Sequence, residues 1–566
     1  MAAATNTNID MNVTDAVGIG QPERQPGPTG SIHRDKDEAD ETAPSETLPQ
    51  ESVDLQSSNF GYEYECVVVG SGHAGSCAAL SAIDAGCTKV LMIDKCPEEW
   101  AGGNGYFTEG AHRTVHSGLH DLLPLLETPL PAAEMERIDI EPYTTDAFAE
   151  DIQRLGGGRA DPDMVRGVVE KSREAVGWLR ERIGAPFSLS FNRQAYEVDG
   201  RMIFWGGMSL SMIGGGKSLI AKHREALKQD GVEVWFEARA IELLMDGEEI
   251  CGVVVERAGK KTRVMARSVV LAAGGFEANA EKRIKHLGRN WEQAHVRGTP
   301  YNTGDGFELA RAVGAKCAGD WGGCHSTAWD ANAPRWGERV RTNTYTKSGY
   351  PLGLMINLVG RRFVDEGEDF RNFTYAKFGR AILEQPGGYA FQVWDAKVTS
   401  RLRKEEYGED VVEKIWAQGI EELAEKLVGR GLEDRQQFVD TLHAYNDATK
   451  GNLDGWNPAV KDGLRTHMPL EVPKTNWALP LDSPPFMAVK VTCGITFTFG
   501  GLAIDPQTAA VLSAATNKAI PGLFCTGEMV GGVFYGNYPG GSGLTAGAVF
   551  GRKAGMGAGA RLRNCK

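Results

Sequence analysis

A glycine-rich loop near the C-terminal end of the chain surrounds a single tyrosine and leads into an apolar run. The stretch GNYPGGSGLTAGAVFGR spans Gly536–Arg552 and sets Tyr538 among residues with very little side chain. Glycine lets a backbone approach a bound group closely, and the first N–H groups of a helix are free to donate to polar ligand atoms. The pattern predicts that Tyr538 faces a ligand and that Ser542, Gly543 and Leu544 contact it as a helix begins.

A second glycine motif follows the apolar run Cys66–Val69, whose valines suit a buried parallel strand. The spacing G-x-G-x-x-G predicts a tight turn, room for a pyrophosphate and close helix–strand packing. A further strand, Val90–Ile93, ends at Asp94, a group that can bond a ribose. This order of elements predicts a dinucleotide site rather than a βαβ turn whose glycines serve packing alone. The predicted contacts are Gly70, Ser71, Gly72, His73, Ala74, Gly75, Asp94 and Lys95.

Three later stretches favour FAD over NAD as this dinucleotide. AGGNG (Ala101–Gly105) forms a second glycine loop, and VVLAAGGF (Val269–Phe276) is a strand that ends in small residues. LFCTGEMVGG (Leu523–Gly532) is another such strand, with Glu528 placed to meet ribityl hydroxyls. An NAD site needs no late return of the chain to its first domain, whereas an extended FAD suits one. The further predicted contacts are Gly102, Gly103, Asn104, Ala240, Ala273, Gly274 and Glu528.

Two other stretches imitate functional motifs. GGGKS (Gly214–Ser218) lacks the glycine that a phosphate-binding Walker loop needs five residues before Gly216, where Ser211 stands. We therefore expect a helix over Lys217–Leu227 there instead. His325–Thr327 is not part of a protease triad, since no G-x-S-x-G elbow accompanies it.

Composition narrows the function classes further. The chain has 566 residues and a net charge of −14, with no basic cluster of the kind that binds nucleic acid. The sequence contains no window of 18 or more apolar residues, so it predicts no transmembrane helix. The 10 cysteines include no CxxC pair, which argues against a metal site or a disulfide framework and favours a reducing, cytoplasmic compartment. Residues 1–60 are acidic and poor in aromatics, without a secretory or mitochondrial leader, and predict a disordered tail.

With these motifs in place, the chain resembles the flavoprotein subunits of fumarate reductase and succinate dehydrogenase, and among their relatives the tricarballylate dehydrogenases. The resemblance runs from Glu63 to the C-terminal end and is most specific in RRFVDEGEDFRNFTYAKFGRAIL (Arg361–Leu383) and in the Tyr538 loop. It implies an α/β fold: a Rossmann-like FAD-binding domain with an inserted α+β capping domain. The implied boundaries are 61–319 and 486–566 for the FAD domain and 320–485 for the cap.

The resemblance also implies a reaction and its residues. Hydride passes between flavin N5 and one carbon of a C–C bond next to a carboxylate or a carbonyl, while a side chain handles the proton on the neighbouring carbon. The proton-shuttling arginine of the family falls on Arg371, with Tyr375 or Tyr538 able to assist. A substrate-binding histidine falls on His325. A flavin contact falls on Asn302–Gly306, which includes Gly304 and Asp305.

The chain departs from that family at several positions. Tyr538 stands where the fumarate reductases carry a carboxylate-binding arginine, and Thr496 stands where they carry a histidine. Two cationic anchors are therefore missing, and a plain four-carbon diacid such as fumarate is not the expected substrate. No histidine near Gly102 matches the one that carries covalent flavin, so the resemblance implies noncovalent FAD.

Two alternatives remain open at this level. Tyr538-Pro539-Gly540 is also similar to the loop of 3-ketosteroid Δ1-dehydrogenases, in which a tyrosine and a backbone N–H polarise a ketone; the substrate would then be an enone. The second alternative is a non-catalytic protein that binds FAD as a scaffold. The intact segment around Arg371 argues against it. The chain holds no iron–sulfur or haem motif, so a separate electron donor or acceptor is expected.

The capping region gives three local predictions. Apolar residues at helical spacing predict an amphipathic helix over Val411–Val428. A second helix is predicted over Phe438–Gly451, ending at its glycine, and a strand over Leu354–Leu358.

Overall fold

The computed structural model describes residues 61–564, so the tail predicted over residues 1–60 lies outside the described residues. Within this range the strands, in chain order, are β1 (Cys66–Val69), β2 (Val90–Ile93), β3 (Ala111–His112), β4 (Ile138–Asp139), β5 (Phe187–Leu189), β6 (Ala195–Val198), β7 (Arg201–Phe204), β8 (Leu210–Met212), β9 (Glu233–Trp235), β10 (Ala238–Asp246), β11 (Glu249–Arg257), β12 (Lys260–Met265), β13 (Val269–Leu271), β14 (His295–Val296), β15 (Cys317–Asp330), β16 (Leu354–Asn357), β17 (Ala390–Trp394), β18 (Ile415–Ala417), β19 (Phe486–Leu502), β20 (Ala510–Leu512) and β21 (Ala519–Cys525).

The α-helices of the same residues are α1 (His73–Asp84), α2 (Leu119–Leu122), α3 (Ala132–Met135), α4 (Thr145–Leu155), α5 (Pro162–Val169), α6 (Ser172–Ile183), α7 (Phe191–Gln194), α8 (Gly215–Gln229), α9 (Ala280–Leu287), α10 (Asp305–Ala312), α11 (Arg371–Leu383), α12 (Ala396–Thr399), α13 (Lys404–Tyr407), α14 (Ile420–Val428), α15 (Arg435–Ala448) and α16 (Ser542–Asn564). Short 3₁₀ helices cover Glu98–Trp100, Gly103–Phe107, Leu123–Leu125, Arg289–Glu292, Thr342–Tyr345, Tyr350–Leu352, Pro386–Gly388 and Gly527–Met529.

A six-stranded sheet holds the two ends of the described chain together. Its strand order is β20-β21-β13-β1-β2-β9, and every pairing is parallel except that of β20 with β21. The β1-α1-β2 unit at its centre confirms the strands predicted at Cys66–Val69 and Val90–Ile93. The late strand β21 pairs with β13 through Leu271 and Cys525. The predicted α/β class with a Rossmann-like core is therefore confirmed.

The first and last helices of the described residues pack backbone to backbone. Glycines recur every four residues along α16, and a Cβ atom at Gly555 would lie 2.3 Å from the carbonyl oxygen of Ala78 in α1. At Gly551 the same atom would lie 2.6 Å from the carbonyl oxygen of Ala74. Residues four apart share one face of a helix, so this stripe lets α16 sit directly on α1. The small residues that the sequence clusters at both ends thus bring the two glycine motifs side by side.

A second large sheet carries the inserted region. Its strand order is β14-β19-β17-β16, with β15 and β18 also paired to the long strand β19. Antiparallel pairing of β15 with β19 sets His325 opposite Phe497. The predicted boundary after residue 319 falls inside β15, and β19 begins just after the boundary predicted at 485. The division into cap and FAD domain stays a prediction. Three smaller sheets complete the fold, in the orders β10-β11-β12, β3-β8-β5 and β4-β7-β6.

The local predictions of strands and helices meet different outcomes. The strand predicted at Leu354–Leu358 is present as β16, the helix predicted at Lys217–Leu227 as α8, and the helix predicted at Phe438–Gly451 as α15. The helix predicted over Val411–Val428 is wrong in its first half. There the chain forms β18, because Ile415–Ala417 pairs with β19, and α14 begins only after Gly419.

None of the helices within residues 61–564 combines the length and the apolarity needed to span a bilayer. The nine cysteines described in this range are all free thiols.

Candidate active site

One cavity collects residues from both ends of the described chain and from the second sheet. Of the residues predicted from sequence, its lining includes Gly70, Gly72, His73, Ala74, Asp94, Lys95, Gly102, Gly103, Asn104, Ala240, Ala273, Gly274, Asp305, His325, Glu528, Tyr538, Gly543 and Leu544. These residues are far apart in the sequence but close together in space. This arrangement is expected if the chain returns to its first domain.

Two helix N-termini open onto this cavity. Gly72 caps α1 without any side-chain hydrogen bond, so the N–H groups of the first turn have no side-chain acceptor. Gly543 and Leu544 belong to the first turn of α16 and line the same space. A Cβ atom at Gly72 would meet nothing closer than the Gly102 carbonyl oxygen at 3.6 Å, so that side faces open cavity. Helix N-termini favour anionic groups, and this cradle fits the pyrophosphate and polar ring edge of FAD.

The acid at the end of β2 is held in place by the glycine loop. Asp94 Oδ2 accepts hydrogen bonds from Ser71 N at 2.8 Å and from Ser71 Oγ at 2.7 Å, and its Oδ1 accepts one from Cys96 N at 3.0 Å. The carboxylate is thereby oriented toward the cavity that it lines. This placement suits the ribose contact predicted for Asp94.

A pair of buried carboxyl groups lies beside the predicted ribityl contact. Glu528 Oε1 accepts from Thr498 N at 2.6 Å and from Thr498 Oγ1 at 3.0 Å. Burial raises the pKa of Glu528 well above its usual range, and the neighbouring Glu277 raises it further. Burial likewise raises the pKa of Glu277, which accepts from Asn302 Nδ2 at 2.7 Å. A protonated Glu528 can both donate to and accept from a ribityl hydroxyl.

The segment predicted to contact flavin is braced by ion pairs. Lys95 Nζ lies 3.0 Å from Asp305 Oδ2, and Arg239 Nε lies 3.3 Å from the same oxygen. Hydrogen bonding from Thr303 and these two cations outweigh burial and lower the pKa of Asp305. Asp305 therefore stays ionised at the first turn of α10, at the edge of the cavity.

Aromatic rings surround Tyr538, which also lines the cavity. The Tyr538 ring lies 4.6 Å from His325 and 5.8 Å from Phe497, centroid to centroid. Burial raises the pKa of Tyr538 to about 12, although nearby Arg297 opposes that effect. Burial lowers the pKa of His325 far below its usual range, and Arg297 lowers it further. The site thus presents a protonated phenol and a neutral imidazole.

Two arginines that no motif predicts also line this part of the cavity. Arg297 is buried, and its Nε donates to Asn343 Oδ1 at 3.1 Å; it forms no ion pair with any residue in the described range 61–564. Its backbone is fixed by Thr496, whose Oγ1 donates to the Arg297 carbonyl at 2.6 Å. Arg193 is buried as well, and its Nε has no hydrogen-bond partner among the described residues. A buried cation without a carboxylate partner, such as Arg297, favours a bound anion.

These arginines belong to a charged group that we name the arginine cluster. It consists of Arg193, Arg297 and Arg403 with the carboxylates of Glu109 and Glu406. Glu406 pairs with Arg403 and lies 3.8 Å from Arg193 Nη2, and Glu109 lies 3.6 Å from Arg403 Nη2. Although burial alone would raise it, Arg403 and Arg193 lower the pKa of Glu406 to about 2. The two carboxylates form ion pairs with Arg403 and Arg193, whereas Arg297 forms none within the described residues.

Arg371 does not belong to the lining, in contrast to the role that the resemblance implied. Its Nη2 donates to the carbonyl oxygens of Arg193 at 2.7 Å and Asn192 at 3.1 Å. The guanidinium lies beside the rings of Tyr196 and Trp205, 5.8 and 5.7 Å from their centroids. Its Nε has no hydrogen-bond partner among the described residues, and the guanidinium does not line the cavity, so its proton-transfer role stays a prediction.

Four further predicted residues also lie outside the lining. Gly75 packs against the turn, because a Cβ atom there would sit 2.1 Å from the Gly70 carbonyl oxygen. Gly304 caps α10, and the Ser542 hydroxyl donates to the Pro539 carbonyl. Ser71 acts through Asp94, as described above. These residues shape the site rather than face its interior.

Sequence reasoning missed Arg193, Arg297, Glu109 and Glu277. Arg297 offered a faint signal, since it shortly precedes the Asn302–Gly306 segment. Glu109 and Arg193 offered none, because the cavity receives them from a loop and a one-turn helix with no recognisable motif.

Comparison with known proteins places this geometry among flavoproteins. A family model described as an FAD binding domain matches residues 132–544. A probable fumarate reductase, Ifc3, of Shewanella frigidimarina (strain NCIMB 400) is 30% identical over 497 residues, covering 87% of this chain and 74% of its own. The solved open conformation of a flavocytochrome c3 fumarate reductase superposes with a TM-score of 0.64 at 26% identity, covering 88% of this chain and 79% of that one. A 3-oxosteroid 1-dehydrogenase of Mycolicibacterium smegmatis is 24% identical, covering 86% of this chain and 96% of its own.

Proposed function

The chain belongs to the FAD binding domain family, and we propose that it uses FAD to move a hydride to or from a carbon atom next to a substrate carboxylate. Family membership makes it a FAD-dependent oxidoreductase acting on carbon–carbon bonds. The choice of a carboxylate rests on one observation: Arg297 lines the cavity, buried, and its guanidinium bonds Asn343 but forms no ion pair with a carboxylate in residues 61–564.

The bound flavin supplies hydride exchange at its N5 atom. Charge then develops on the substrate oxygens next to the reacting bond, and preorganised donors stabilise it. The Tyr538 hydroxyl, protonated at neutral pH, can donate to one such oxygen, and the N–H groups that begin α16 can donate to the same group. His325, neutral and edge-on to Tyr538, packs against the phenol and limits its orientations.

Arg297 and Arg193 supply the cationic character that the sequence appeared to lack. Tyr538 and Thr496 replace two cationic anchors of the respiratory fumarate reductases, yet two arginines from other elements line the same cavity. The positive charge of Arg297 favours a substrate with at least one carboxylate. Tricarballylate, a tricarboxylate, is the first candidate that the resemblance suggests.

We also propose noncovalent FAD and a separate electron carrier. His73 lines the cavity, but its Nε2 bonds the Leu544 carbonyl at 3.0 Å and its Nδ1 bonds His223 Nε2 at 2.9 Å. Neither nitrogen is free for a covalent link. The lack of iron–sulfur and haem motifs in the sequence supports a separate carrier.

A ketone substrate is the second candidate. Tyr538 followed by Pro539-Gly540 suits polarisation of a carbonyl oxygen by a phenol and a backbone N–H, and the relationship to a 3-oxosteroid 1-dehydrogenase supports the same chemistry. An uncharged steroid, however, would leave Arg297 unpaired and buried. The desolvation cost of such a group is about 1–3 kcal/mol or more.

The test is anaerobic reduction of the bound flavin by compounds that carry a saturated carbon–carbon bond next to a carboxylate or a ketone. Purified holoenzyme is mixed with tricarballylate, with succinate and with 4-androstene-3,17-dione, and bleaching of the flavin absorbance is followed. The proposal expects bleaching by a carboxylic acid. Bleaching by the steroid alone would establish the ketone alternative, and the absence of bleaching by all three, together with no reoxidation of reduced enzyme by fumarate, would favour the scaffold.

A further inference from the structure

We infer that Tyr375, rather than Arg371, is the catalytic residue that transfers the proton in this reaction. The inference rests on the proposed function, since it assigns the second half of the same hydride–proton exchange. It starts from a hydroxyl that the fold buries without a partner. Tyr375 is 7% exposed, its hydroxyl has no hydrogen-bond partner in the described residues, and it lines the cavity that holds Tyr538 and His325.

The first turn of α11 is fixed directly to the Tyr538 loop. Gly540 N donates to the Asn372 carbonyl at 2.9 Å, and Asn537 Nδ2 donates to the Phe373 carbonyl at 2.6 Å. Tyr375 lies one helical turn after Arg371 in α11 and lines the cavity. The Tyr375 ring centroid lies 6.0 Å from that of His325. The phenol is therefore positioned by the same loop that presents Tyr538.

An unsatisfied buried hydroxyl costs about 1–3 kcal/mol, and a bound substrate is the partner that the cavity can supply. The matched residue on the neighbouring element behaves differently. Tyr350 is fully buried too, but its hydroxyl bonds Thr374 Oγ1 at 2.8 Å and it lies outside the lining. The hydroxyl of Tyr350 is therefore satisfied within the protein, whereas the hydroxyl of Tyr375 is available to bond a ligand.

The other ionisable groups of the lining suit a proton transfer less well. Glu109 is ionised, because Arg193 and Arg403 outweigh its burial and lower its pKa, so it holds no proton to deliver. Proton uptake by His325 would create an imidazolium beside Arg297 and Arg193. The Tyr538 hydroxyl is required as a donor to the substrate oxygen. Arg371 lies outside the lining, and its Nη2 donates to the backbone carbonyls of Asn192 and Arg193.

Charged and aromatic groups surround Tyr375. They are the cations Arg297 and Arg403, the phenols Tyr538 and Tyr350, and the imidazole of His325.

In the reductive direction, reduced FAD, when bound, would supply the hydride that forms a new C–H bond at the β-carbon of an α,β-unsaturated acid. The C=C electron pair would move toward the carboxyl oxygens, which Arg297 and Tyr538 would hold. The O–H bond of Tyr375 breaks, its proton forms the new C–H bond at the α-carbon, and a phenolate remains. That phenolate regains a proton from water when the product leaves. Desaturation runs through the same steps in reverse.

The closing experiment compares Tyr375→Phe with the matched control Tyr350→Phe. Photoreduced holoenzyme is mixed with fumarate, with trans-aconitate and with acrylate in D₂O, and both flavin reoxidation and deuterium at the α-carbon of the product are measured. General acid catalysis contributes about 10²–10⁴-fold, so Tyr375→Phe is expected to slow both by at least about 100-fold. Tyr350→Phe is expected to stay near the wild type, and FAD content reports folding in both variants.

A pH profile separates a catalytic role from a structural one. Replacement of Tyr375 by 3-fluorotyrosine, a more acidic phenol, is expected to move the Tyr375 limb of the rate profile to lower pH while FAD content is unchanged. A Tyr375→Phe enzyme that reoxidises and deuterates at the wild-type rate, or an unmoved limb, would overturn the assignment while leaving the proposed function intact. A wild-type enzyme inactive toward all three acids would instead overturn the proposed function, and the assignment with it.

Discussion

The ring of Tyr538 meets the ring of His325 edge-on, with centroids 4.6 Å apart and planes inclined by 63°. The two residues come from the C-terminal loop and from β15 of the second sheet, so their contact joins that loop to the second sheet inside the cavity. We expect Tyr538→Phe to lower kcat/KM by about 10²–10³-fold, as loss of one oxyanion donor does, without loss of FAD. Steady-state kinetics and flavin content measure both quantities.

Tyr535→Phe is the matched control for that variant. Tyr535 belongs to the same loop but packs under Arg159, 5.3 Å from its guanidinium, and lies outside the lining. Equal rate losses in the two variants would show that the loop, rather than the Tyr538 hydroxyl, matters.

Arg371 is expected to act on stability more than on the reaction. In Arg371→Gln the carbonyls of Asn192 and Arg193 lose a charged donor, and the free energy of unfolding should fall by about 1–3 kcal/mol. The rate should change less than about tenfold, the equivalent of 1.4 kcal/mol. Urea unfolding and flavin reoxidation test this together; a large rate loss at unchanged stability would restore a proton-transfer role for Arg371.

Close packing of α16 on α1 should be intolerant of any side chain at Gly555. Gly555→Val places atoms against the α1 backbone, where even a Cβ atom would lie 2.3 Å from the Ala78 carbonyl oxygen. Overpacking of this kind costs about 1–3 kcal/mol or more, and it would move both glycine motifs. A lower melting temperature and loss of bound FAD are expected, whereas Met556→Val, at an exposed position on the same helix, should leave both unchanged.

Buried histidines beneath the glycine motif should make the fold sensitive to acid. Burial lowers the pKa of His73 to about 4 and that of His112 to about 3. An unfolded histidine titrates near about 6.5, so below that pH the unfolded chain binds more protons than the folded one. Stability is therefore expected to fall as pH drops from about 6.5 toward 4, by about 1.4 kcal/mol per pH unit for each such histidine.

Urea unfolding between pH 7 and pH 5 measures that dependence. His112→Gln should flatten it, and His443→Gln, at an exposed site, should not. An unchanged slope in His112→Gln would mean that this histidine titrates normally in the folded protein.

The sequence allowed the FAD half of the site to be predicted because its contacts are local. Gly70, Gly72 and Asp94 lie within one βαβ unit, and their spacing has a direct geometric meaning. The return of Glu528 and Leu544 to that unit was also predictable, since short apolar strands that end in glycine suit a buried parallel sheet.

The substrate half could not be predicted in the same way. Arg193 and Arg297 reach the cavity through tertiary packing, from segments without periodicity or motif. The role of Arg371 was carried over from a family position by sequence alone and stays a prediction, since the helix that begins there directs its guanidinium toward Asn192 and Arg193. β18 was missed because pairing with β19 overrides the helical spacing of its apolar residues.

The central claim is that Arg297 holds a substrate carboxylate beside the flavin. The most direct measurement compares Arg297→Gln with the exposed control Arg335→Gln, using tricarballylate and its triamide as ligands in flavin difference spectra. Loss of a buried charge partner costs about 2–5 kcal/mol, so Arg297→Gln should weaken binding of the acid by at least about 30-fold and leave the amide and the control variant unaffected. Unchanged affinity for the acid in Arg297→Gln would contradict the account.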